Sequence, residues 1–82
     1  MFDKKTLAKN IGLNLKRLRL EQNLTMQSLA NLADIEKSQI VRIETGKVDA
    51  KASSLYNLAL ALKIDIKELF ELEKFPPDKT LK

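Results

Sequence analysis

Between Leu24 and Lys47 the sequence LTMQSLANLADIEKSQIVRIETGK sets two helical periodicities on either side of a tight break. Leu29 and Ala30, then Leu32 and Ala33, recur at three-to-four spacing, and the series restarts after Ile35 with Ile40 and Ile43. Two short helices must therefore share one core. The break falls at Asp34-Ile35-Glu36, where Asp34 tolerates a left-handed backbone and Glu36 is placed to accept from the free amides that open the next helix. So short a turn makes the two helices cross steeply. Thr25 suits the N-cap of the first, Ser28 three residues on gives a weak version of the capping box, and Gly46 is a natural left-handed stop for the second.

The flanking sequence reads as helix throughout, with short connections and no internal repeat. A first helix is expected from about Lys4 to Gln22, capped by Asp3 and burying Leu7, Ile11, Leu15 and Leu18. Gly12 inside it sacrifices about 1 kcal/mol of helix propensity relative to alanine, which points to close packing there. A fourth helix, about Ala52 to Leu62, buries Leu55, Leu58, Ala59 and Leu62, and Leu60 and Ala61 widen its apolar stripe enough to make it central. Asp65 and Glu68 form a capping box for a fifth, about Ile66 to Lys74, which Pro76 and Pro77 end. The expected fold class is all-α: one compact five-helix domain over residues 1–75, with the helix-turn-helix at 25–45 and a frayed tail at 76–82.

Composition narrows what such a domain can do. Neither cysteine nor histidine occurs, which removes disulfides, thiolate metal sites, the usual zinc ligands and both Ser-His-Asp and Cys-His catalysis. No nucleophile-base pair stands out, so an enzyme, a metal or a cofactor is not expected, and no small-molecule site is evident. The longest apolar run, Leu58 to Leu62, is far below the roughly 20 residues that span a bilayer, and no signal-peptide core opens the chain; a cytoplasmic protein is expected.

The net charge of +4 and isoelectric point near 9.5 suit a nucleic-acid partner, but the charge is unevenly placed. Residues 1–20 carry six basic residues against Asp3, residues 21–47 carry three against four acids, and the remainder balances at six against six. The paired helices are thus slightly acidic. Any grip on phosphate must come from selected lysines and helix N-termini.

In order and spacing, Leu24-Thr25, Leu29-Ala30, Ser38 to Ile40, Arg42-Ile43-Glu44-Thr45-Gly46-Lys47, Leu55 to Leu62 and Glu68-Leu69-Phe70 resemble the XRE family of helix-turn-helix regulators, related to phage repressors and Cro. The resemblance spans roughly Ile11 to Phe70. It implies a repressor-like fold in which the helix from about Lys37 to Thr45 reads the major groove of double-stranded DNA.

With Ile40 and Ile43 facing the core, the outward positions of that helix are Lys37, Ser38, Val41 and Arg42. By resemblance the base contacts fall on Lys37, Ser38 and Arg42, and Val41 can meet a thymine methyl; lysine or arginine donates to guanine O6 and N7. Thr25 and the amides behind it suit a phosphate, Gln27 stands beside the Met26 that replaces the family's usual glutamine, and Gln39, Thr45 and Lys47 can clamp the backbone. Arg19 and Glu44 match positions that form a partly buried ion pair in the family. Asp34, Glu36, Lys51 and Lys63 also depart from its pattern, where glycine, serine, serine and glycine are usual. Glu36 is expected to cap rather than to accept from cytosine N4.

One reader helix offers few contacts, so a homodimer on a two-fold-related operator is expected, with half-sites about 34 Å apart. Ile64, Ile66, Leu69, Phe70, Leu72 and Phe75 exceed what one terminal helix needs to dock; Leu69 is expected inward, and Ile66, Phe70 and Phe75 are candidates for the dimer interface. The resulting expectation is a sequence-specific transcription regulator, a repressor or a controller of a restriction-modification system. Two other readings remain open at this point. One is a protein-interaction module or antitoxin of the same fold with weak or no specific DNA binding; the other makes the first helix a basic membrane-surface helix, against which its core leucines count.

Overall fold

The computed structural model describes residues 3–72. Four α-helices follow one another: α1 (Lys4–Glu21), α2 (Met26–Ala33), α3 (Lys37–Glu44) and α4 (Ala52–Leu62), and a short 3-10 helix (Ile66–Phe70) closes the bundle. The described residues are all-helical. Ile11, Leu15 and Leu18 of α1, Leu29, Ala30 and Ala33 of α2, Ile40 and Ile43 of α3, four residues of α4 and Leu69 meet in a single core. Leu7 joins its margin.

All four α-helices end in the same way, which explains the short connections. A left-handed residue follows each: Asn23, Asp34 and Lys63 at φ 58° and Gly46 at φ 72°. Behind each, the next amide reaches back across the last turn, from Leu24 to the Arg19 carbonyl, Ile35 to Ala30, Lys47 to Arg42 and Ile64 to Ala59. These are Schellman closures, and Leu24, Ile35 and Ile64 tuck their side chains against the core as they form. Asp34 behaves as its sequence position suggests, whereas Lys63 holds a left-handed backbone without the glycine or asparagine that tolerates it best.

Three sequence expectations are corrected. Leu32 is 60% exposed and Leu60 is 58% exposed, so neither belongs to the core stripe. At about 100° per residue, Leu32 points well to one side of the face made by Leu29, Ala30 and Ala33, and Leu60 lies nearly opposite Leu55, Leu58 and Leu62. The fifth helix does not run on through Glu71, which is extended at ψ 144°. Its capping box of Asp65 and Glu68 is present, but the Asn14 side-chain amide on α1 takes the carbonyls of Leu69 and Glu71 at 2.9 and 2.8 Å. Carbonyls engaged from the side by α1 no longer continue a helical ladder. Phe75 and the tail at 76–82 lie outside the described residues.

Candidate nucleic-acid interface

The position of α3 is fixed chiefly at its C-terminal end. Arg19 of α1 places its guanidinium flat against the Glu44 carboxylate, with Nε donating at 2.7 Å and a terminal nitrogen at 3.0 Å, while its other terminal nitrogen donates to the Leu24 carbonyl at 2.8 Å. Both residues are buried. The hydrogen bonds that Arg19 donates to Glu44 hold it still more firmly in its charged form than usual, against the opposing effect of burial. Next to this fork, α1 crosses so closely that a Cβ at Gly12 would collide with the Ile43 carbonyl and lie 2.7 Å from that of Glu44. Gly46 then meets Lys9 of α1 with similar intimacy. Helices α1 and α3 are therefore locked at one end by charge, by backbone contact and by a left-handed turn.

The opposite side of α3 carries nothing that fixes it to the other described residues. Lys37, Ser38, Val41 and Arg42 are all exposed, and Thr45 shares their arc of about 140° around the helix. Among the described residues the side chains of Lys37, Ser38 and Arg42 make no hydrogen bond or ion pair, so their donors face solvent. Glu36 occupies the N-cap position with an extended backbone but its carboxylate makes no capping bond. This corrects the expectation that Glu36 caps the helix, and it leaves the first amides of α3 without a side-chain acceptor.

The five backbone-clamp candidates are in different states. Thr25 caps α2, accepting from the Ser28 amide at 2.9 Å, and its hydroxyl also lies 2.9 Å from that of Ser28. Gln27 spends its amide on Asn31 at 3.0 Å, and Thr45 donates into the Val41 and Arg42 carbonyls at 2.8 and 3.2 Å. Gln39 is half-buried and Lys47 is exposed, and neither side chain is committed among the described residues.

Three surface depressions bring these groups together. Thr25, Met26, Gln27 and Lys37 line one; Gln27, Asp34, Glu36, Lys37 and Ser38 line a second at the turn, which puts two carboxylates beside the start of α3. The third joins Gln39 and Arg42 to Lys51 and Ser54 at the start of α4. Lys47 lies across a fourth hollow from Lys4 and Lys5. Sequence reasoning missed Lys51, Ser54, Lys4 and Lys5 as neighbours of the site. Lys51 was noticeable only as an unusual residue at a cap position, and nothing local in the sequence places the chain's N-terminal lysines next to Lys47. These lysines add positive charge beside the paired helices, with Asp49 lining both hollows among them.

Residues 12–74 match the helix-turn-helix domain family. The restriction-modification controller protein C.AhdI from Aeromonas hydrophila is similar at 30% identity with a TM-score of 0.75, over 77% of this chain and 96% of that one. An HTH_3 family transcriptional regulator from Vibrio cholerae superposes at a TM-score of 0.80 and 24% identity, over 83% of this chain, which spans only 38% of its length. The transcription factor NHTF from Neisseria, described as hypothetical, shares the fold at 18% identity and a TM-score of 0.77, over 99% of this chain and 88% of that one. No curated protein matches the chain. With a buried α2–α3 pair, a solvent-facing α3 and this match across most of its length, the chain belongs to the helix-turn-helix family of XRE-like DNA-binding transcription regulators.

Proposed function

We propose that the chain binds double-stranded DNA sequence-specifically as a homodimer in the cytoplasm, as a repressor or as a controller like that of a restriction-modification system. Helix α3 enters the major groove, where Lys37, Ser38 and Arg42 meet base edges and Val41 meets a thymine methyl. Thr25, Gln27, Gln39, Thr45 and Lys47 engage phosphates on either side. Of these, Lys47 and Gln39 need no rearrangement, whereas Thr45 must first release the α3 carbonyls it now serves. Ile66 is half-buried and Phe70 is 40% exposed beside the equally apolar, exposed Leu72, which supports pairing through this end; the proposed third member, Phe75, lies outside the described residues.

The single observation that carries this reading is the asymmetry of α3: a buried face locked to α1, and an opposite face on which the Lys37, Ser38 and Arg42 donors have no partner among the described residues. Selection of bound sequences from random duplex DNA, with affinity titrated against salt, tests it. A two-fold-related site should be enriched and log affinity should fall steeply with log salt concentration. Lys47→Ala should weaken binding to all sequences alike and flatten that slope by about one. No enrichment with a flat slope would instead favour a protein-interaction module, for which the carboxylates of Asp34 and Glu36 beside Lys37 are the supporting feature.

A further inference from the structure

The solvent face of α1 is not an ordinary charged face. Lys5, Lys9, Leu13, Lys16 and Leu20 fall within about 80° of one another around the helix, between the side that Gly12 presses on α3 and the side from which Asn14 holds the 3-10 helix. Leu13 is 50% exposed and Leu20 is 53% exposed, seven residues apart, and a shallow groove between them is lined by Lys16, Arg17 and Glu21. The core of the domain is filled by the other side of α1, so neither leucine contributes to it; Leu13 lies only in this groove, while Leu20 also borders the depression at Thr25, Gln27 and Lys37. Lys5, Lys9 and Lys16 form no ion pair there either. Arg17 is only loosely held, at 3.2 Å from Glu21 and 3.4 Å from Asn14, with its Nε buried and unpartnered.

We propose that this face docks an acidic amphipathic helix of another protein, whose apolar stripe covers Leu13 and Leu20 and whose flanking carboxylates meet Lys9, Lys16 and Arg17. The two leucines are about 10.5 Å apart along α1, the rise of two turns, which matches apolar residues at i, i+3, i+4 and i+7 of a helix laid alongside. Charge selects the partner. A second copy of the chain is disfavoured, because the antiparallel two-fold pairing that sets Leu13 against Leu20 also sets Lys16 against Arg17. A lipid surface is a poorer fit, since the face offers two leucines and no aromatic anchor. Duplex phosphates would satisfy the lysines but leave both leucines in water.

The test uses the full chain labelled with 15N and a synthetic helical peptide bearing leucines at i, i+3, i+4 and i+7 with glutamates on both flanks. Saturable amide shifts confined to residues around Leu13 to Glu21 are expected, weakening with salt. Leu13→Gln should weaken binding about tenfold without moving the thermal midpoint, because the side chain is half in water. Lys16→Glu should transfer preference to the same peptide with lysine flanks. The DNA site selected by the parent chain should be selected unchanged by both variants, which separates this surface from the proposed reader. Absence of saturable shifts, equal binding of glutamate- and lysine-flanked peptides, loss of dimers in Leu13→Gln, or stronger Leu13-dependent binding to phosphatidylserine vesicles than to the peptide would each overturn the proposal.

Discussion

The two ends of α3 are built on opposite principles. At its C-terminal end Glu44 is buried beneath Arg19, the carbonyls of Ile43 and Glu44 leave no room for a side chain at Gly12, and Gly46 turns the chain in a left-handed step. At its N-terminal end Glu36 makes no capping bond and Lys37 and Ser38 project freely. Helix α2, of the same eight residues, has its own start closed by Thr25, so the uncapped start of α3 is not imposed by helix length. A helix clamped at one end by buried groups and left open at the other can be held rigidly in orientation while its exposed donors remain available to a ligand. Order at the clamp and openness at the other end are complementary requirements of the recognition helix proposed for α3.

Breaking the clamp should have the largest effect. Arg19→Ala leaves Glu44 as a buried carboxylate without its partner and should cost about 3–5 kcal/mol, lowering the thermal midpoint by more than about 12 °C. Replacing both residues by apolar ones of similar volume should be much less damaging. A loss below about 1 kcal/mol for Arg19→Ala would mean that the fork does not fix α3.

Gly12→Ala comes next. The added methyl meets backbone rather than a flexible side chain, so overpacking of about 1–3 kcal/mol should exceed the roughly 1 kcal/mol gained in helix propensity. Denaturant unfolding should show net destabilisation; net stabilisation would place α1 and α3 further apart than described here.

At the open end the expected change has the reverse sign. Glu36→Ser supplies the missing cap and should stabilise the domain by about 0.5–1 kcal/mol in the same assay, and no gain would show that the first amides of α3 are already satisfied.

The smallest effect belongs to Asp3, whose carboxyl accepts from the Thr6 amide at 2.9 Å and is held below its ordinary value of 3.8 by that bond. A lowered folded-state value means that the unfolded chain binds the proton more readily. The contribution is thus fully present above 3.8 and is lost as pH falls through the lowered value. Protection of the Thr6 amide, relative to its intrinsic exchange rate at each pH, should fall over that acid range in the parent chain and stay constant in Asp3→Asn.

Much of the fold was legible because local signals agreed with one another. Thr25, Asp34 and Gly46 punctuate α2 and α3 by their own backbone preferences, and α4 matched its expected limits because its apolar spacing and its ends coincide. The fifth helix was misjudged for a non-local reason: Asn14, fifty-five residues away from Leu69, takes its carbonyl from the side. Leu32 and Leu60 are apolar without being buried, because at about 100° per residue Leu32 falls to one side of the buried arc and Leu60 nearly opposite it. At the interface, exposure of Lys37, Ser38, Val41 and Arg42 followed from the helical period alone. Which donors were already occupied did not: the bonds of Gln27 to Asn31 and of Thr45 to the α3 carbonyls depend on rotamers that spacing cannot specify.

The proposed function turns on base reading by the free face of α3. Repeating the random-duplex selection with Arg42→Ala tests it most directly. The selected site should keep its two-fold symmetry but lose preference at one base position in each half, at a cost of about 1–3 kcal/mol for the parent sequence and with thermal stability unchanged. An unaltered site bound with unaltered affinity would contradict it.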